Sequence, residues 1–183
     1  GWQAGKPIFL YGHSMGGLIT CSYLLDHQAG FKGAVISAPA IKVSDSISPV
    51  IILMGKVFST IAPKLGVLAL DIQGISSDPQ EVDTYAHDPL IFKGKTPARL
   101  AAEMLKAMQR VTAEVDKIRL PLIIVQGGED KLIDPGGAQL LYDKASSPDK
   151  TLKIYPALYH EVHNEPERFL VFKDIEIWLE AHI

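Results

Sequence analysis

Residues 7–18 read Pro-Ile-Phe-Leu-Tyr-Gly-His-Ser-Met-Gly-Gly-Leu, and the fold turns on how this stretch is read. An apolar run, Pro7 to Tyr11, leads into Gly12-His13-Ser14-Met15-Gly16, and a helix-like pattern follows from Leu18 to Leu25. Strand, Gly-x-Ser-x-Gly, helix is the arrangement that holds a nucleophilic serine on a sharp, strained turn. So tight a turn brings neighbouring backbone into contact, and a residue without Cβ fits there. Ser14 then starts a helix whose free N–H groups and dipole favour developing negative charge, with the Met15 N–H as one donor to an oxyanion. The plainer reading of the pentapeptide alone is a glycine-rich turn with an incidental serine. The strand before it and the helix after it weigh against that reading.

Three more short apolar runs resemble the first: Ala34 to Ala38, Leu122 to Gln126 and Leu152 to Tyr155. Each is flanked by Gly or Pro, and helical patterns separate them. That order predicts an α/β fold with a parallel sheet and right-handed crossovers. One helix is expected near Asp134-Pro135, with proline in its first turn. The last is expected from Glu165-Pro166-Glu167, burying Phe169, Phe172, Ile175 and Trp178-Leu179 on one face. About eighty residues separate the second and third strands, more than a single crossover requires. Within them Val50–Phe58, Leu65–Ile72 and Ala98–Val111 read as helices and loops forming a cap. The expected organisation is core in 1–40, cap in 41–112 and core again in 113–183. A parallel sheet normally has its edges covered, yet the serine strand comes first. Either the sheet is a small four-stranded one, or earlier strands lie outside this chain.

A chain of 183 residues can enclose one sizeable core. Its 47% hydrophobic and 21% charged residues are those of an ordinary globular protein rather than a disordered one. A net charge of -3 leaves no basic footprint, so no nucleic-acid partner is expected. Cys21 is the sole cysteine, which excludes an internal disulfide and a cysteine-based zinc site. That is compatible with the cytoplasm, and the opening Gly-Trp-Gln-Ala-Gly-Lys carries no secretory pattern. The greasiest region, Ile47 to Ile72, is broken by Lys56, Pro63 and Lys64, which argues against a membrane span. An apolar surface that touches lipid remains compatible with it.

A serine hydroxyl needs a base, and the base needs an orienting group. On a fold of this kind the chain order is serine, acid, histidine, with the later two on loops after later strands. Gln126-Gly127-Gly128-Glu129-Asp130 follows the third strand, and Pro156-Ala157-Leu158-Tyr159-His160 follows the fourth. Groups at the carboxyl ends of such strands share one rim of the sheet. Asp130 is favoured as the acid over Glu129, whose longer side chain would have to fold back, and over Asp134, better explained as a helix cap. His160 is favoured as the base over His163, which suits a supporting or surface position. His13 is expected beneath the turn, and His27, His87 and His182 show no partner pattern.

In these residues the chain resembles the monoacylglycerol lipase branch of the α/β-hydrolases, with its related lysophospholipases. The resemblance rests on Gly-His-Ser-Met-Gly-Gly (12–17), Val-Asp-Thr-Tyr-Ala-His-Asp-Pro-Leu-Ile (82–91) and Gln-Gly-Gly-Glu-Asp-Lys-Leu (126–132). It continues in Asp-Lys-Thr-Leu-Lys-Ile-Tyr (149–155) and Tyr-His-Glu-Val-His-Asn-Glu (159–165). It implies Ser14, Asp130 and His160 as nucleophile, acid and base, and Met15 as an oxyanion donor. It also implies Tyr85 as a cap residue near the polar end of the substrate channel, and an apolar cap helix at Val50–Phe58 that meets membranes and admits acyl chains. Relatives can carry a cysteine shortly after the acid; Ile133 stands there and is assigned to the substrate site. The resemblance further implies upstream strands and a His-Gly loop supplying a second oxyanion donor, so the chain reads as the later, larger part of the fold.

The expected function is therefore hydrolysis of a monoacylglycerol to glycerol and a fatty acid, with no metal or organic cofactor. The partners expected are a small-molecule lipid ester and, through the cap, peripheral contact with a membrane. Two alternatives stand beside it: another ester, such as a lysophospholipid, cut by the same triad, or a non-catalytic piece that binds lipid or a partner.

Overall fold

The computed structural model describes residues 5–42 and 57–183. Its centre is a parallel sheet of four strands: β1 (Phe9–His13), β2 (Gly33–Ser37), β5 (Leu122–Gly127) and β6 (Lys150–Tyr155), in that spatial order. All four runs predicted as strands are present, with ends moved by one or two residues. The register sets His13 beside Ser37, Ser37 beside Val125, and Gly127 beside Tyr155. The loops that follow β1, β5 and β6 consequently open on one edge.

The inner strands are buried along their whole length, as strands covered on both faces must be. Their side chains alternate between two cores. Ala34, Ile36, Leu122 and Ile124 face Leu18, Cys21 and Leu24 of α1 (Met15–Leu24), Val111 of α3 (Ala98–Glu114) and Leu141 of α4 (Gly136–Lys144). Val35, Ile123 and Val125 face Val171 and Trp178 of α5 (Arg168–Glu180). The outer strands are less covered than the sequence reading implied, with β1 and β6 only partly buried.

Two expectations are corrected. The last helix begins at Arg168, after a short 3-10 turn at Val162–Asn164, and it buries Val171 and Trp178 while Phe169 stays 72% exposed. Ile175 and Leu179, also expected on the buried face, pack partly buried against the second core, whereas Phe169 and Phe172 are exposed. A Cβ at Gly33 would lie 2.5 Å from the Trp178 ring, so glycine there leaves room for the indole.

The second correction concerns Leu65–Ile72, read as part of a region of helices and loops without strands. It contains β3 (Gly66–Leu68), paired antiparallel with β4 (Thr96–Pro97). The pairing partner is remote in sequence and the ribbon is short, so neither strand carries a period-2 pattern. Ala98–Val111 is helical as expected, and Met104, Ala107 and Met108 of α3 pack on the first core. Most of Val50–Phe58 lies outside the described residues; residues 57–61 are helical. A 3-10 turn (Ile72–Gly74) and α2 (Pro79–His87) complete the region.

Candidate active site

β1 delivers Ser14 to the open edge of the sheet with φ 54° and ψ −119°. A non-glycine residue there is strained and persists only when its surroundings over-determine it. They do. The Ser14 N–H donates to the Ser37 carbonyl at 2.9 Å, and the Ser14 carbonyl accepts from Leu18 at 3.1 Å and from Ala40 at 3.2 Å. Gly12 is required, since a Cβ would meet Thr20 Oγ1 at 2.4 Å and the Gly16 carbonyl at 2.5 Å. Gly16 is not: a Cβ there has nothing within 4 Å. The expectation that both glycines of the pentapeptide relieve close contacts holds for Gly12 alone. Met15 opens α1, so its N–H is among those at a helix start that no intrahelical carbonyl takes up.

The loops after β5 and β6 are laced together. Gly128 N–H donates to the Tyr155 carbonyl at 2.8 Å and Glu129 N–H to that of Leu158 at 3.0 Å. A Cβ at Gly127 would stand 1.9 Å from the Tyr159 carbonyl oxygen, so that close approach demands glycine. On this scaffold His160 Nδ1 lies 2.8 Å from Asp130 Oδ2, with both side chains almost wholly buried. Glu129 is exposed. Asp134 accepts from the Gly136 N–H at 2.8 Å and pairs with Lys42 at 2.7 Å, as a helix-capping residue would. Of the three acids weighed, Asp130 is the one brought to the histidine.

Asp130 is itself gripped. Its Oδ1 accepts from the N–H groups of Leu132 at 2.9 Å and Ile133 at 3.1 Å, and Oδ2 also accepts from Gln126 Nε2 at 2.9 Å. Burial pushes its carboxyl upward, but the bonds and charge of His160 with those two N–H groups outweigh it, and the net shift is downward. Gln126 escaped the sequence reading. A long polar residue ending an apolar strand, itself fully buried, was the available clue.

His13 is not simply beneath the turn. Its Nδ1 lies 3.1 Å from Ser37 Oγ, and its ring centroid is 4.8 Å from that of His160 and 4.7 Å from that of His163. Burial first, then the neighbouring His160 and His163, lower its pKa to about 3, so His13 is a neutral member of the cluster. His163 is likewise lowered, by burial first and also by His160, against an upward pull from Glu161. His27, His87 and His182 take local partners elsewhere: the Tyr23 ring, Asp83, and Trp178 with Asp149. Tyr85 of α2 is half-buried, and its phenol is pushed up by burial and then by the Glu161 carboxylate. Ile133 is half-buried next to Asp130. Among the described residues no group of three or more His, Cys, Asp or Glu side chains could hold a metal ion.

A strained serine after a parallel strand and a buried histidine–aspartate pair on the same rim are features of the α/β-hydrolase fold. The profile of the family described as serine aminopeptidase, S33, matches residues 2–167. This chain belongs to that family. A monoacylglycerol lipase of Mycolicibacterium smegmatis is 38% identical over 177 residues, 97% of this chain and 63% of the relative. The crystal structure of a Paleococcus ferrophilus monoacylglycerol lipase superposes with TM-score 0.89 at 29% identity, covering 100% of this chain and 71% of that one. A soluble variant of the Saccharomyces cerevisiae monoglyceride lipase, solved with a substrate analog, superposes with TM-score 0.86 at 26% identity, covering 97% and 63%. The chain thus spans somewhat less than two thirds of the Mycolicibacterium relative, and it has the α/β-hydrolase fold.

Proposed function

We propose that the protein is a serine hydrolase that cleaves monoacylglycerol to glycerol and a free fatty acid. The observation that carries this is the 2.8 Å contact of His160 Nδ1 with Asp130 on the rim where Ser14 sits strained at a helix start. Ser14 Oγ attacks the ester carbonyl while His160 Nε2 takes its proton; the same proton then goes to the departing glycerol oxygen. Asp130 accepts the Nδ1 proton, which fixes the tautomer and supports the imidazolium. The Met15 N–H donates to the oxyanion. Water, activated by His160, releases the fatty acid from Ser14.

The monoacylglycerol class is supported by the named relatives and by the chemistry of the 41–112 region, proposed here as the cap. Its exposed apolar residues, among them Ile61 at 71% and Leu68 at 61%, suit acyl chains and the surface of a membrane. Tyr85 and Ile133 are proposed to line the substrate site, with Tyr85 toward the polar end. Among the described residues no helix is long and apolar enough to cross a membrane.

The test is fatty-acid release by the full-length protein from a monoacylglycerol and, in parallel, from lysophosphatidylcholine. A higher kcat/KM for the monoacylglycerol is expected. Preference for the lysophospholipid would overturn the substrate class, and release from neither would overturn the hydrolase reading.

A further inference from the structure

We infer that Glu165 is a positioning residue for this reaction, fixing the backbone that carries His160 and tying it to the segment that leads to Tyr85. The inference rests on the hydrolase reading, in which His160 is the base. In the sequence Glu165 looks like an acidic residue at the start of the last helix. In the structure it lies before that helix and is fully buried at 0% exposure.

A buried carboxylate is costly unless hydrogen bonds satisfy it. Glu165 Oε1 accepts from the Ser77 N–H at 2.9 Å and from the Tyr159 N–H at 3.0 Å, and Oε2 accepts from the Ser77 hydroxyl. Among the described residues no lysine or arginine pairs with it; Arg168 reaches its main-chain carbonyl instead. Charge-assisted bonds to main-chain N–H groups are strong, so this one side chain can hold two backbone segments.

Those segments matter because of what they carry. Tyr159 immediately precedes His160. On the other side of the base the Glu161 N–H donates to the Ile75 carbonyl at 2.8 Å, and Ser76 Oγ donates to the Asn164 carbonyl at 3.1 Å. His160 is therefore fixed at Nδ1 by Asp130 and through the N–H groups of both neighbouring residues. Ser77 leads directly into α2, capped by Asp78, whose side chain accepts from the Gln80 N–H at 2.9 Å, and Tyr85 follows on that helix. One buried carboxylate thus links the base to the entry of the region proposed as cap.

The experiment compares Glu165→Ala and Glu165→Gln with the wild type in the full-length protein, well below each melting temperature. Glu165→Ala leaves the Tyr159 and Ser77 N–H groups without their acceptor. Its kcat should fall by roughly 10- to 100-fold, the scale set by misplacing a reacting group by about 1 Å, while KM moves much less. The low-field proton resonance of His160 Nδ1–H should weaken in parallel. Glu165→Gln keeps a carbonyl oxygen for both N–H groups, and its amide can donate to the Ser77 hydroxyl, so kcat and the resonance should recover. Should the alanine variant not fold, Glu165→Asp, too short to span both segments, should show the same loss of kcat. A folded alanine or aspartate variant with wild-type kcat and an unchanged resonance would overturn the inference. If the wild type cleaves no ester, the hydrolase reading falls, and the resonance comparison still decides whether Glu165 positions His160.

Discussion

β2 and β5 bury every residue, whereas β3 in the 41–112 region leaves Val67 and Leu68 exposed. The two regions meet at the His160 loop and where α3 packs on the first core, but the sheet and the β3–β4 ribbon are specified by different physics. Strands of the sheet are fixed by packing on both faces, so their sequences are continuous apolar runs and their loops have one place to go. The β3–β4 ribbon is fixed by a few main-chain bonds to a remote partner, and its apolar side chains face outward. Continuous burial therefore belongs to the inner strands of the sheet, and exposed apolar side chains to β3.

The largest expected effect separates the regions by kinetics. Asp130→Asn should lower kcat by about 10⁴-fold while the fold is retained, because the imidazole loses the acceptor that sets its tautomer. Tyr85→Phe removes one hydroxyl and should raise KM by no more than about tenfold with kcat near wild type. Steady-state kinetics on a monoacylglycerol measure both, and a greater loss of kcat in Tyr85→Phe would break the distinction.

Stability offers the next contrast. Ile124, 0% exposed in β5, should cost about 2–5 kcal/mol on truncation to alanine. Leu68, 61% exposed in β3, should change stability by no more than about 0.5 kcal/mol in the same substitution. Equal shifts in denaturant midpoints for the two variants would contradict the account.

The last contrast is a dependence on pH. His13 titrates near 3 in the folded protein, against an ordinary value of 6.5. Between those values the unfolded chain binds a proton that the folded chain does not, so stability falls as pH drops from about 6.5. Asp130, held below 3.8, adds its loss at lower pH still. Replacing His13 by Gln should flatten the decline in melting temperature between pH 7 and pH 5. An equally steep decline in that variant would show that the buried imidazole is not its source.

The sheet and its three loop residues were legible because they obey local rules. An apolar run, a tight glycine turn and a polar residue just beyond a strand are all visible within a few positions. Ser14, Asp130 and His160 were each read that way, and the structure brings Asp130, not Glu129 or Asp134, to the histidine. What escaped depends on distant partners. Gln126 acts on a residue of the following loop, Glu165 on a segment some ninety residues upstream, and β3 on a strand nearly thirty residues away. On the last helix Ile175, Trp178 and Leu179 were expected on the core and pack there, whereas Phe169 and Phe172 were expected there and are exposed.

The most direct test of the site is covalent. Full-length protein is treated with a fluorophosphonate probe and the labelled peptide mapped, in the wild type, Ser14→Ala and His160→Ala. An adduct is expected on Ser14, none in Ser14→Ala and far slower labelling in His160→Ala. Undiminished labelling of Ser14→Ala would contradict this expectation.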